Sequence, residues 1–550
     1  MTSTCCIPRQ NEVYLVRSGK TIFCGDSLNP LFRLFRTLRH LQPRQVAYRG
    51  YYLLRKRLKK SVLPEADACR KVKTLILVEP ASRYRSLLDG SFTFLKLTHD
   101  FTNDVDWEFS DFGKLWLYNL NYFDFLNQQG TERGEGLSLI REYLSDLPNR
   151  KTGLEPYPTS LRLINWVKFL AVHQVEDEQI DQAVYCQALH LMNNLEYHLL
   201  GNHLLENGFA LLFAAAIFPE GPFSRKAEEI VTAELKEQIL SDGAHFELSP
   251  MYHQIILDRL LDSINILQSN SLLPDLLPLL RDKASMMLGW LQQVAISSSE
   301  IPLLNDSAFG IAPTTSQLIA YAERLGVPIS VRPLGASGYR KIAKPGYEML
   351  VDVGNIGPDY IPGHAHSDTF NFVLYVDGKP LIVDTGTSTY ETCARRLVER
   401  GTAAHNTVQV DGLEQSEVWE SFRVARRAYV RELQEDNDTI CAWHDGYSRI
   451  GARHTRKWVF GEDTVQVLDS IASNKRHDST ARIHFHPDVD ITLEGNCVVA
   501  GPLCIHFTHA DSIVLGDYNY APEFNTLVPA KMLEISFSES LITYIVIGQS

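Results

Sequence analysis

The chain has 550 residues, 45% apolar and 22% charged, with a formal net charge of −13. That is the composition of a globular protein with enough chain for two or more domains. The acidic balance excludes a general nucleic-acid binder, which needs clustered Lys and Arg, but leaves room for an anionic substrate in a locally basic cleft.

Nine cysteines, scattered and without a C-x-x-C pair, read as free thiols in a reducing compartment. The opening MTSTCCIPRQNEVYLVRSGK lacks the apolar core of a signal peptide, and no apolar run approaches the roughly 18 residues of a membrane span. The expectation is a cytoplasmic protein, with periplasmic or secreted placement by an unrecognised route left open. Residues 31–60 carry ten Lys/Arg and no Asp/Glu, and Leu31, Leu34, Phe35, Leu38 and Leu41 fall at helical spacing. Such a helix either packs on the main body, gives peripheral membrane contact, or grips a polyanion.

From Trp107 to Leu325 the apolar residues recur every three or four positions in successive segments with short polar breaks. This predicts paired helices, as in a bundle or toroid. Near Pro328 the period changes to two. YEMLVDVGN, FNFVLYVDGKPLIVDTG, HNTVQVDG and RKWVFGEDTVQVLDSI alternate and turn at D-G or E-D, predicting an antiparallel β-sandwich. The expected architecture is α+β and multidomain: an N-terminal extension over 1–100, a helical domain over 101–330 and a sandwich over 331–550.

Three clusters carry chemistry. In GNHLLENGF, Asn202, His203, Glu206 and Asn207 crowd a helix start, beyond what an N-cap requires. In DGAHFELSPMYH, Pro250 opens a helix that presents Tyr252 and His253 at its terminus. In GHAHSDTFNFVLYVDGKPLIVDTG, His364 and His366 alternate, and on a strand they would share a face; Asp384 and, further on, His405 complete a His₂-carboxylate set suited to zinc. A hydrogen-bonded histidine pair is the plainer reading of that spacing. Asn305 and Asp306 in IPLLNDSAFG read as ordinary turn residues.

Taken together and in this order, NHLLEN, DGAHFELSPMYH, GHAHSDTFNFVLYVDGKPLIVDTG and RGTAAHNTV resemble the heparinase II/III-like family of polysaccharide lyases. The resemblance implies an incomplete (α/α) toroid followed by an antiparallel β-sandwich, with the active site between them. It implies cleavage of an anionic, uronate-containing polysaccharide by β-elimination. Asn202 and His203 match positions that bind the uronate carboxylate, and Glu206 a position that orients the site. Tyr252 matches the tyrosine that protonates the leaving oxygen, with His253 beside it as a substrate contact. His364 matches the base used when the C5 proton lies on the opposite face. His366, Asp384 and His405 match the ligands of one structural zinc. Two other readings stand beside this one: an editing or non-catalytic accessory of bacterial surface-polysaccharide synthesis, and an (α/α)-toroid glycoside hydrolase using two of Glu206, Glu247 and Asp306.

Overall fold

A computed structural model describes residues 30–58, 63–64, 74–81, 83–102, 104–147, 150–296 and 300–548. Cys5, Cys6, Cys24, Cys69 and the opening segment read for a signal peptide lie outside the described residues.

Two helices come first, α1 (Pro30–Leu38) and α2 (Pro43–Leu58). The helical domain follows: α3 (Lys114–Tyr122), α4 (Arg133–Asp146), α5 (Pro156–Val172), α6 (Glu178–Met192), α7 (Gly201–Ile217), α8 (Ser224–Gln238), α9 (Pro250–Ser269), α10 (Leu277–Val294) and α11 (Thr315–Arg324). Their starts are written in the sequence. Asp177 caps α6 by accepting from Gln179 and Ile180, Thr314 and Gln317 form a reciprocal capping box on α11, and prolines sit in the first turns of α5 and α9. Helix α7 packs against α5, α6, α8 and α9. Every residue of α7 except His203 is buried, so this apolar helix is the centre of the domain.

A small antiparallel sheet (Leu87–Leu88, Ser91–Phe94, Leu97–Asp100) precedes α3. Sequence grouped these residues with the N-terminal extension. In the structure Phe92 and Phe94 pack on Trp107 and Trp116 and share the helical core.

The sandwich sets an eight-stranded antiparallel sheet, drawn from residues 430–547, against two four-stranded sheets. One of these holds Tyr339–Lys344, Tyr347–Asp352, Phe372–Val376 and Lys379–Ile382; the other holds Ser512–Tyr520, Val528–Phe537, Ser479–His484 and Val408–Val410. Hydrogen bonds from Val383 N to His484 O (2.9 Å) and His486 N to Leu381 O (3.0 Å) join the two smaller sheets into one layer. The strand Ala452–Phe460 alternates buried and exposed residues, as period two demands. The Asp377–Gly378 and Asp411–Gly412 turns both have positive φ at both residues (49° and 74°; 51° and 66°), the tight hairpin geometry that D-G signals. One further helix, α12 (Ala394–Arg400), interrupts the strands.

A separate apolar cluster welds the domains. Ala244, Leu248, Trp290 and Leu304 from the helical side meet Tyr339, Leu350, Val373 and Tyr375 from the first sheet. Asp242 clamps the linker by accepting from Gly335 N, Ser337 N (2.8 Å) and Ser337 Oγ (2.7 Å). Next to it, Gly243 has φ 95°, and a Cβ there would lie 2.2 Å from Met286 O. Gly243→Ala is expected to destabilise the fold by roughly 1–3 kcal/mol, read as a lower urea midpoint with an unchanged slope.

Candidate active site

Three segments meet at the junction of the domains. The first is the start of α7. Leu200 and Gly201 take positive φ (67° and 59°), which turns the chain sharply into the helix. Asn202 then lies against Glu247, donating from Nδ2 to Oε1 (3.0 Å) and Oε2 (2.9 Å). Glu247 thereby fixes the orientation of the Asn202 amide. His203, the one unburied residue of the helix, bonds Glu196 through Nδ1 (3.1 Å) and faces the Tyr157 ring at 4.6 Å. Burial would lower the His203 pKa, but the Glu196 carboxylate outweighs it and the net shift is upward. Asn207, one turn on, donates to the other Glu196 oxygen (3.0 Å) and to Ser160.

The second segment is the start of α9. Ser249 caps the helix by accepting from Tyr252 N (3.2 Å), and its hydroxyl donates to Asp306 O (2.7 Å). Tyr252 is half-buried, and its ring stacks on His364 with centroids 3.7 Å apart. Burial, reinforced by the charges of Asp306 and Glu247, pushes its hydroxyl well above the usual phenol range. The phenol is therefore protonated at neutral pH.

The third segment, residues 361–371, carries the two histidines. It is an irregular loop, not a strand, so the expected shared face does not exist. The Ala365 carbonyl between them accepts from Arg400 Nε (3.2 Å) and Nη2 (3.0 Å), and the two rings diverge. His364 opens on the cleft while His366 is fully buried. Both hold the same carboxylate: Asp306 Oδ2 meets His364 Nδ1 at 2.9 Å and Oδ1 meets His366 Nε2 at 2.9 Å. Arg396, on α12, closes a bidentate pair on the two oxygens, with Nη2 to Oδ2 at 2.7 Å. Burial alone would raise the Asp306 pKa. Arg396 and the two histidine hydrogen bonds hold it well below the usual carboxylate range. The other His364 nitrogen, Nε2, lies 3.5 Å from Glu247 Oε2.

The structure brings the expected Asn202, His203, Tyr252 and His364 together at one cleft. Sequence reasoning missed Glu196 and Arg396, and it considered Glu247 and Asp306 only as hydrolase carboxylates, with Asp306 otherwise an ordinary turn residue. His253 is corrected: one helical step from Tyr252 it points into the core, bonding His245 N (3.2 Å) and Met287 O (3.0 Å) and packing on Trp290, and it does not reach the cleft. Glu206 also lies below the floor. It is fully buried, 3.6 Å from Arg259, its oxygens have no hydrogen-bond partner, and burial pushes its pKa up to about 7. The hydrolase reading loses its carboxylate pair, since Asp306 is spent on Arg396 and Glu206 is shielded.

The expected zinc set is only partly assembled. Asp384 uses Oδ2 for His405 Nδ1 (2.7 Å) and Asn371 Nδ2 (2.5 Å), and Oδ1 for Gly386 N (3.1 Å). That makes it a brace for His405 rather than a free ligand. Yet the rings of His366 and His405 lie 5.3 Å apart, and His366 Nδ1 and His405 Nε2 are both buried without a partner, as is Asp368 Oδ2. Unpartnered buried polar atoms are rare. Two imidazole nitrogens of this kind, each backed through the other nitrogen by a carboxylate, suit a metal site. Among the described residues, the trio whose donor atoms already converge is a different one, Cys497, Cys504 and His506 on the hairpin 497–508.

Residues 159–323 match the model of the heparinase II/III N-terminus, and residues 328–546 that of the heparinase II/III-like C-terminal region. A heparin-sulfate lyase of Bacteroides stercoris is 24% identical over 259 residues, 42% of this chain; the chain spans only 38% of that relative's length. Among solved structures, heparinase III has the same fold with a TM-score of 0.63 at 17% identity, covering 91% of this chain and 89% of that one. A heparan sulfate lyase from Pedobacter heparinus gives 0.57 at 17% identity over 92% and 89%. Toroid and sandwich are both accounted for by these neighbours.

Asp306→Asn removes the charge that Arg396 was buried to meet. It is expected to cost about 3–5 kcal/mol in chemical denaturation, whereas Asp306 as a mere turn residue predicts a loss below about 1 kcal/mol.

Proposed function

The chain belongs to the heparinase II/III-like family, and we propose that it cleaves a uronate-containing polysaccharide by β-elimination, leaving a 4,5-unsaturated uronate end. One observation carries this reading. A protonated tyrosine is stacked on a carboxylate-braced histidine beside an asparagine and a histidine fixed by glutamates.

The C5 hydrogen of a uronate is α to a carboxylate, and removing it builds charge on that carboxylate. His203, as a cation favoured by Glu196, would meet that charge, and Asn202, held by Glu247, would help orient the uronate beside it. His364 takes the C5 proton. The resulting imidazolium would sit 2.9 Å from the Asp306 carboxylate, which compensates it. Tyr252, held protonated by burial, delivers a proton to the departing O4. The C4–O4 bond breaks as the C4–C5 double bond forms, and no water is consumed. For a substrate whose C5 proton faces the tyrosine, Tyr252 would serve both steps, and substrate binding would first have to lower its pKa.

We assign zinc to His366 and His405, with Asp368 Oδ2, buried and without a partner, as the carboxylate ligand and Asp384 bracing His405. It would brace the loops behind His364 and take no part in proton transfer.

Absorbance near 232 nm is expected to rise when the protein meets its uronate polymer, and Tyr252→Phe to lower kcat by roughly 10²-fold or more. Chain shortening without that absorbance would refute elimination. For the metal, protein dialysed against metal-free buffer is expected to keep about one zinc per chain by mass spectrometry. His405→Ala should lose it and Cys497→Ser should retain it; folded protein without stoichiometric zinc would remove the assignment.

A further inference from the structure

The N-terminal arm carries its amphipathic helix with the polar side inward. In α1, Arg33 and Arg36 turn onto the sandwich and bond Glu417 (3.0 Å and 2.8 Å), while Thr37 Oγ1 accepts from Trp419 Nε1 (3.1 Å). No residue of α1 is buried. With the arginines fixed to the protein, the opposite face must look outward, and Phe32, Phe35 and Leu38 are 58%, 66% and 44% exposed. Helix α2 repeats the arrangement on the helical domain. Its inner stripe is Gln45, Tyr48, Tyr52 and Arg55, at three- and four-residue spacing. Gln45 Nε2 donates to Leu199 O (2.9 Å) and Tyr360 O (3.3 Å), and Tyr48 packs on Tyr197 at 4.7 Å. Its outer side shows Leu53 and Leu54, 66% and 62% exposed.

We propose that the outward face of α1 and α2 is a docking surface for an anionic lipid bilayer. Aliphatic and phenyl side chains turned to water on two successive helices form the apolar half of an interfacial anchor. The segment is also basic: residues 31–60 carry ten Lys/Arg and no Asp/Glu in a chain of net charge −13, and beside the arginines turned onto the body, Arg39, Arg49 and Arg57 are exposed. That charge attracts anionic headgroups. It also opposes docking of a second copy through the same face, since like charges would meet. A polysaccharide would use the arginines but gain little from Phe32, Phe35, Leu53 and Leu54. No helix among the described residues is long and apolar enough to cross a membrane, so the arm lies on the surface. Through Gln45 it bonds Leu199 and Tyr360, on the segments that lead to Asn202 and His364. Docking there would bring the site described above to polymer at the membrane surface, a consequence that rests on the lyase reading, whereas the docking itself does not.

The test is flotation of the full chain with vesicles of phosphatidylcholine, alone or with about 30% phosphatidylglycerol. Binding is expected to the anionic vesicles only. Phe32→Glu with Phe35→Glu, which leaves the fold's buried contacts untouched, is expected to lower the partition coefficient by about tenfold or more with an unchanged melting temperature. Failure of the parent chain to float with anionic vesicles would overturn the proposal, as would flotation that the double variant does not weaken. So would a parent chain that light scattering shows to be a dimer and the variant a monomer, which would give the face to a second copy. Slower migration of the parent through a gel containing alginate, lost in the variant while vesicle binding persists, would reassign the face to polymer.

Discussion

The cleft depends on the Asp306 carboxylate. It projects from the last loop of the helical domain, and the groups that hold it, His364, His366 and Arg396, all belong to the sandwich side of the chain. A fully buried carboxylate is costly unless paired and hydrogen-bonded, and here every partner lies across the domain junction. The charge can be accommodated only when the domains are assembled as they are, so satisfying it and building the site are one event. Asn305 beside it repeats the logic at the backbone level, donating to Leu248 O (3.1 Å) and accepting from His366 N (2.9 Å). The apolar cluster of Trp290, Leu304, Tyr339 and Val373 supplies non-directional adhesion between the same two bodies; the carboxylate supplies the register.

From that anchor the division between the twin histidines follows. Asp306 offers one oxygen to each, and Arg400 pins the carbonyl between them. The loop therefore cannot slide to put both rings in the cleft or both in the core. His364 takes its orientation from Asp306 and its stacking partner from Tyr252. His366 is left with a bare nitrogen facing His405. Arg456 extends the support into the sandwich: it pairs with Asp469 (2.7 Å) and donates to Phe370 O (2.8 Å) and Asn406 O (2.7 Å), tying the ends of the histidine-bearing segments to the eight-stranded sheet.

What could be read in advance was local. The D-G turns, the Pro250 helix start, the period change near Pro328 and the crowd of polar residues opening an otherwise apolar α7 each depend on neighbours a few residues away. His203 stood out because nothing in a buried helix explains it, and it proved to be that helix's one unburied residue. What escaped was non-local. Asp306 and Arg396 lie 90 residues apart, and neither spacing nor propensity joins them. Glu247 could be named only as a possible hydrolase acid, and its contact with Asn202, 45 residues away, is visible only in the fold. His253 went wrong for a geometric reason: successive helical residues diverge by roughly 100°, so adjacency to Tyr252 argued against a shared face. For residues 31–60 the sequence allowed packing on the body or binding outside it, and the structure makes these compatible, because the arginines pack and the apolar residues do not.

The protonation of the cleft has a consequence for how work is shared within it. A buried phenol with a raised pKa keeps its proton at neutral pH, so Tyr252 holds a proton to give and has no phenolate to act as base until something lowers that pKa. His364 bonds the Asp306 carboxylate at 2.9 Å, so a proton arriving on its other nitrogen would complete an ion pair rather than strand a charge. The two rings stack with centroids 3.7 Å apart, so in the proposed reaction the acceptor and the donor of protons would be in contact, and charge on His364 would be met by Asp306 and by the π face of Tyr252. The carboxylate that sets the domain register is thus the same one that faces His364, so the proposed base and the domain junction share one buried charge.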